Sequence, residues 1–332
     1  MFNFFKLFKR KPETIAKVEA ERLILSMPKD ARIGIFSHAN LDPDGLYSAL
    51  AFSAALKQLG YENVKVFLSP ESKDLRECAK RLTNLDNVTE STDAQLDLTI
   101  IVDLCVASRL GIFEKCAMSA KKIAVFDHHP DPVIKHDAMI RDVNKSSAGE
   151  ILFGFFKKLD ITLTREIASL LYVSIMSDSQ CLTVAINSGE PYMIVKELVE
   201  TGFDMIAAKE CLSNKLSVQE IKAAAKAITN MRTQGDVTFF IFDARKKEFD
   251  IDYEQIKEKS LKILSLTANT KILLSLVVFT DKVRGSLRSY CEKNVDDLAA
   301  KLGGGGHKKA SGFTSNLPEN YITAIVAEYF KK

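Results

Sequence analysis

Three short apolar runs, Arg32 to Ser37, Leu98 to Val102 and Lys122 to Phe126, each lead straight into a histidine or an aspartate, and that pattern leaves few folds open to the chain. The runs are rich in β-branched residues and too short for helices, so they read as strands buried on both faces. Amphipathic segments separate them, which predicts an α/β fold with a parallel sheet and crossover helices. His38 follows the first strand, Asp103 ends the second and Asp127 ends the third. All three therefore arrive at carboxyl ends of strands, the edge where open α/β sheets bind ligands. A helix over Leu46 to Leu59 opens at Asp44-Gly45 and stops at Gly60; a buried helix over Glu166 to Met176 delivers Asp178.

Gathered at that edge, the chemistry-bearing residues are His38, Asp42, Asp44, Asp103, Asp127, His128, His129 and Asp178. Helix capping accounts for one of Asp42 and Asp44, but not for the histidine four residues before Asp42. A lone aspartate after a helix is usually a turn residue; Asp178 gains weight only from its company. Carboxylates with a minority of imidazoles and no thiolate suit Mn²⁺ or Mg²⁺ better than a structural zinc. So many ligands point to two divalent ions, roughly 3.5 to 4 Å apart, the clamp used for phosphoester hydrolysis. Asp42, Asp44, Asp103 and Asp178 would neutralise two such ions. A serine-type triad on Asp127-His128 is the rival chemistry, and no serine here sits in a recognisable nucleophile elbow.

At 332 residues, 46% hydrophobic and 27% charged, the chain is long enough for two cores. A net charge of only +3 argues against wrapping long nucleic acid. Any polyanion it handles is expected to be small. Six cysteines with no CxxC spacing read as reduced thiols of a cytoplasmic protein. No apolar run reaches the roughly 18 residues of a membrane span. Phe2, Phe4, Phe5 and Phe8, interleaved with Lys6, Lys9, Arg10 and Lys11, form a short basic segment suited to weak membrane-surface contact or, more often, to docking on its own protein or a partner subunit. A homodimer is left open. After Pro12, the residues Ala16, Ala20, Leu23, Ile24 and Met27 make a helical stripe.

Downstream, Leu216 to Arg232 reads as a helix and Thr233 to Asp236 as a break, followed by strands at Val237 to Asp243 and Ile272 to Thr280. The expected division is an N-terminal segment and helix at 1–30, a parallel-sheet domain at 31–200, a helical linker at 201–234 and a smaller mixed α/β domain at 235–332. A cleft closing around a short substrate would suit two domains so joined. Four consecutive glycines, Gly303 to Gly306, would present backbone N–H groups to a phosphate, with a following helix start adding partial positive charge. Arg284 and Arg288, four apart on a strand or its turn, can each fork onto a phosphate. His307 can stack on a base or bond a phosphate.

The ordered set of HxxxDxD (His38, Asp42, Asp44), a lone Asp103 after a strand, Asp127-His128-His129 and a later Asp178 resembles the four signature motifs of the DHH phosphoesterase family. Val283-Arg284-Gly285-Ser286-Leu287-Arg288-Ser289 and Gly303-Gly304-Gly305-Gly306-His307 resemble the two motifs of the DHH-associated C-terminal domain. The match spans roughly residues 31 to 315. The resemblance implies that His38, Asp42 and Asp103 hold one Mn²⁺, and that Asp44, Asp103, His128 and Asp178 hold the other. It implies that His129 faces the scissile phosphate while Asp127 orients a histidine. Arg284, Ser286, Arg288, Gly304, Gly305, Gly306 and His307 would bind substrate. The branch it resembles contains nanoRNases and pAp phosphatases, and also phosphodiesterases of cyclic di-AMP or pApA. The expected activity is therefore cleavage of dinucleotides such as pApA, with pAp as a further substrate. Cyclic di-AMP turnover, a non-catalytic nucleotide sensor and an inorganic pyrophosphatase are the alternatives. One departure stands out: Ser179-Gln180 follows Asp178 where the family often has a small residue and glycine.

Overall fold

The computed structural model describes residues 12–130, 134–183, 188–212, 217–264 and 270–331. The basic aromatic segment expected on a membrane or partner surface lies outside them. The chain divides into two compact units, residues 1–213 and 214–332. The larger is built on a parallel sheet and the smaller on a mixed sheet, each with helices.

The first unit runs α1 (Pro12–Leu25), β1 (Ile33–Phe36), α2 (Pro43–Gln58), β2 (Val64–Phe67), α3 (Lys73–Ala79), β3 (Val88–Thr89), β4 (Leu98–Val102), α4 (Glu114–Met118), β5 (Lys122–Asp127), β6 (Ala138–Arg141), α5 (Ala148–Lys158), α6 (Arg165–Asp178), α7 (Glu190–Glu200) and α8 (Met205–Leu212). Its six strands pair in parallel in the order β3-β2-β1-β4-β5-β6. The order reverses between β1 and β4, so the loops after those strands diverge and leave a crevice there. Both faces of the sheet are covered. Ile33, Ile35, Ile100, Val102 and Phe126 pack with α2, α5 and α6 on one side. Phe36, Phe67, Ile101 and Val125 meet Leu110, Phe113 and Cys116 on the other. Burial on two faces explains why β1, β4 and β5 carry apolar residues at successive positions rather than only at alternate ones. In α1 the expected stripe is anchored by Ala20 and Ile24, both fully buried, with Leu23 and Met27 packed beside them.

The second unit runs α9 (Val218–Thr229), β7 (Arg232–Gln234), β8 (Val237–Asp243), α10 (Tyr253–Leu264), β9 (Ile272–Val278), β10 (Val283–Ser289), α11 (Asp296–Lys301), β11 (Gly304–His307), β12 (Ala310–Ser315) and α12 (Glu319–Tyr329). Its sheet has the order β11-β12-β10-β9-β8-β7, with β8 and β9 parallel and the other pairs antiparallel. Leu274, Leu276, Val283 and Leu287 pack on α11 and α12, while Phe240, Phe242, Leu273 and Val277 pack on α9 and α10. The segment 201–234, expected as a helical linker, is instead shared between the units. Ala208 and Cys211 of α8 join the first core, and Ala223, Ala224 and Ala227 of α9 join the second. No described helix is long and apolar enough to cross a membrane.

Candidate functional site

The crevice of the first unit collects the residues at the ends of β1, β4 and β5 and at one end of α2 and of α6. Asp42 caps α2: one carboxylate oxygen accepts the Gly45 N–H at 3.0 Å, and the other lies 3.4 Å from His38 Nε2. It thus serves both as a cap and as a neighbour of the histidine. Asp103 stands at the end of β4 with φ at +57°, a left-handed conformation that aspartate tolerates better than most residues. Its N–H donates to the Phe126 carbonyl at 2.9 Å, which ties the turn to β5. Strain held at such a position is common where geometry serves function. Gly45 permits the close approach here, since a Cβ on it would lie 2.3 Å from Ser37 Oγ and 3.4 Å from Asp103 Oδ2.

Asp103 is the meeting point of the imidazoles. Its Oδ2 lies 3.4 Å from His38 Nε2, its Oδ1 3.2 Å from His128 Nε2 and 3.7 Å from His129 Nδ1. His128 Nε2 also lies 3.5 Å from Asp178 and 3.8 Å from Asp44. The opposite nitrogen, His128 Nδ1, is 3.3 Å from the Lys145 carbonyl, which leaves Nε2 for the cluster. His129 turns its Nδ1 to Asp127 Oδ1 at 2.8 Å. The helix expected to end at Met176 continues to Asp178, which is the last residue of α6.

Asp44 is fully buried, yet four donors reach it. The N–H groups of Ala148 and Gly149, at the start of α5, lie 2.7 and 3.3 Å from it; Ser48 Oγ lies at 3.2 Å, and Ser174 Oγ also donates. A carboxylate at a helix N-terminus is favoured by the helix dipole. Neither serine is among the residues expected from the motifs. Helical spacing carries a signal for both, because Ser48 follows Asp44 by four residues and Ser174 precedes Asp178 by four.

Electrostatics set these groups against one another. Burial, Asp103 and Asp178 push the Asp44 carboxyl well above the ordinary carboxylate range. Burial, Asp42 and Asp103 raise Asp178 to about 7. Burial disfavours charge on His38 and His128, but the surrounding carboxylates outweigh it and raise both to about 10. Asp103 is pulled the other way, its burial overcome by His128 and His38. Such a cluster keeps its protons unless a cation displaces them. Three overlapping triplets have donor atoms all within 4.8 Å of one another: His38, Asp42 and Asp103; Asp44, His128 and Asp178; and Asp103, His128 and His129. Asp103 Oδ1 and His128 Nε2 are buried without a hydrogen-bond partner. Hard oxygen and imidazole donors with orphaned buried atoms fit divalent metal ions of the Mn²⁺ or Mg²⁺ type.

In the second unit, Arg284, Ser286 and Arg288 alternate along β10 and share one side of it, while Val283 and Leu287 enter the core. Across the strands, Arg288 pairs with Ala310 and Ala310 with His307; Ser286 pairs with Gly312 and Gly312 with Gly305. The two rows form a platform with small residues at its centre. The glycine run is not a loop before a helix, as expected, but the edge strand β11, which follows α11. Glycine is what lets it draw near β12, because a Cβ at Gly304 would stand 2.0 Å from the Gly312 carbonyl oxygen and one at Gly306 2.7 Å from that of Ala310. Gly305 is less confined, with only Asp296 Oδ1 at 3.7 Å.

Comparison with known proteins agrees with this architecture. Residues 32–175 match the DHH family, N-terminal domain. The chain is 24% identical over 292 residues to the probable bifunctional oligoribonuclease and PAP phosphatase NrnA of Streptococcus mutans, covering 86% of this chain and 90% of the relative. It is 26% identical over 319 residues to the bifunctional oligoribonuclease and PAP phosphatase NrnA of Mycoplasma genitalium, covering 91% and 93%. An exopolyphosphatase-related protein from Bacteroides fragilis shares the fold, with a TM-score of 0.79 at 20% identity over 96% of this chain and 97% of that one.

Proposed function

From the match of residues 32–175 to the DHH family, N-terminal domain, we propose that the chain is a two-metal phosphodiesterase that cleaves very short RNA, dinucleotides such as pApA, to mononucleotides. Removal of the 3′-phosphate of pAp is proposed as a related activity. The observation that carries the reading is the overlap of the ligand triplets at Asp103 and His128. The names of the two relatives support the substrate class.

One ion would be held by His38, Asp42 and Asp103, the other by Asp44, Asp103, His128 and Asp178, with Mn²⁺ preferred and Mg²⁺ as the alternative. When bound, the ions would supply Lewis acidity toward the phosphoryl oxygens and a water acidic enough to attack near neutral pH. The remaining work falls to the chain. Asp103 bridges the two ligand sets, and the donors on Asp44 hold its carboxylate in place. Asp127 accepts from His129 Nδ1 and orients the ring, so Nε2 is the atom left to face the phosphate, and in the imidazolium form it can donate there and pass its proton to the departing sugar oxygen. Arg284, Ser286, Arg288, Gly304, Gly305, Gly306 and His307 would hold the rest of the substrate. The arginines can fork onto a phosphate, and the side-chain-poor strip beside His307 leaves room for a base.

The test is product chromatography with Mn²⁺ and, in separate reactions, pApA, pAp, a 5-mer RNA, cyclic di-AMP and pyrophosphate. Release of AMP from pApA is expected, and Asp103→Asn, which tolerates the left-handed backbone, should abolish it. Binding of these compounds without turnover would instead identify a sensor, and dominant pyrophosphate hydrolysis a pyrophosphatase.

A further inference from the structure

The basic side of β10 is already occupied by carboxylates from α10. Glu258 accepts from Ser286 Oγ at 2.8 Å with one oxygen and from Arg288 Nη2 at 2.9 Å with the other. Arg288 Nη1 donates to the Leu287 carbonyl at 3.0 Å, so both terminal nitrogens of the guanidinium are engaged. One helical turn earlier, Glu254 lies 3.9 Å from Arg284. Between the two glutamates, Lys257 is nearly buried, with its Nζ 2.9 Å from Glu254 and 3.5 Å from Glu258. Three cations therefore face two carboxylates, and the group carries a surplus of a single positive charge.

We propose that Glu258 is a specificity-determining residue that competes with substrate phosphate for Arg288 and Ser286, and so sets the preference among substrates by their terminal phosphate. The inference rests on the reading above, in which Arg288 and Ser286 bind substrate and the scissile phosphate is taken by the metal centre. The phosphate that reaches Arg288 is then the terminal one, which is largely dianionic at neutral pH. A dianion exceeds the surplus charge of the group and must displace Glu258 or lie beside it, where like charges repel. Glu258 is 47% exposed on its side chain, so it can swing into water when displaced, at the loss of two hydrogen bonds. A dinucleotide without a terminal phosphate has nothing to exchange at this position and is indifferent to Glu258.

The experiment measures KM in Mn²⁺ for pApA and ApA with the wild type, Glu258→Gln, Arg288→Ala and the double variant. Glutamine keeps the shape and removes the charge, and Lys257 retains Glu254, so the fold should be kept. Glu258→Gln is expected to lower KM for pApA about fivefold to tenfold and to change that for ApA by less than twofold. The gain should vanish when Arg288 is alanine. If Arg288→Ala leaves KM for pApA unchanged, the substrate role of Arg288 fails and the proposal with it. Should Arg288→Ala weaken pApA while Glu258→Gln weakens it too, or leaves the ratio of the two substrates unaltered, Glu258 merely positions the arginine and the proposal is overturned.

Discussion

Asp44 illustrates how a single carboxylate is made usable inside a protein. Full burial without partners would be prohibitive for its charge, and the neighbouring Asp103 and Asp178 add repulsion. Two main-chain N–H groups and two hydroxyls offset part of that cost and fix the orientation of the group. Partners of this kind typically change metal affinity by about 10–100-fold when removed. Ser174→Ala is therefore expected to weaken Mn²⁺ binding by roughly that factor while leaving the fold intact. Calorimetric titration checks it, and an unchanged affinity would mean that the α5 amides and Ser48 suffice. His129 is held with less redundancy, through Asp127 on one nitrogen.

Elements carry the site because strand ends and helix starts are where unpaired polar groups are tolerated. The motifs mark β1, β4 and β5 closely, since a buried strand of a parallel sheet needs an unbroken apolar run and the chemistry begins where that run stops. The strands β2 and β6 are as short as β1 but end in no such motif, and the two-residue β3 is too short for any periodicity to separate it from a loop. Glycine disfavours strands in general, so β11 is illegible locally and exists because only glycine fits against β12. The start of α9, by contrast, is written in its sequence as a capping box between Ser217 and Glu220. Burial opposes the charge on Glu220, but Lys259 and the Ser217 amide hold its carboxyl below the usual range. A folded-state value below the unfolded one means that Glu220 stabilises the unit above its unfolded titration, at about pH 4 for a free glutamate. That contribution is lost as the pH falls through the folded value. Ser217→Ala is expected to cost about 1 kcal/mol at neutral pH, and Glu220→Gln to flatten the acid limb of the denaturation profile; an acid limb identical to that of the wild type would count against this assignment.

At the scale of the whole molecule, each unit has cores of its own, and among the described residues the metal-ligand candidates lie in the first. Any cation that binds the folded site stabilises that unit by mass action, by about 2.7 kcal/mol per site at a concentration 100-fold above Kd. For a unit of this size each kcal/mol moves Tm by roughly 2–4 °C. Scanning calorimetry in EDTA should therefore lower the melting of the first unit by several degrees and spare the second, whereas an unaltered trace would argue against the metal centre. The α/β class, the strand ends and the types of residue gathered there are legible in the chain before it folds, because hydrophobic periodicity and motif spacing are local. That Ser174 and the α5 amides reach Asp44 across 130 and 104 residues of chain, and that Glu258 occupies Arg288, follows from packing alone. Contacts of that kind depend on how helices pack onto a sheet, and no short window of sequence records which distant side chain the packing will bring.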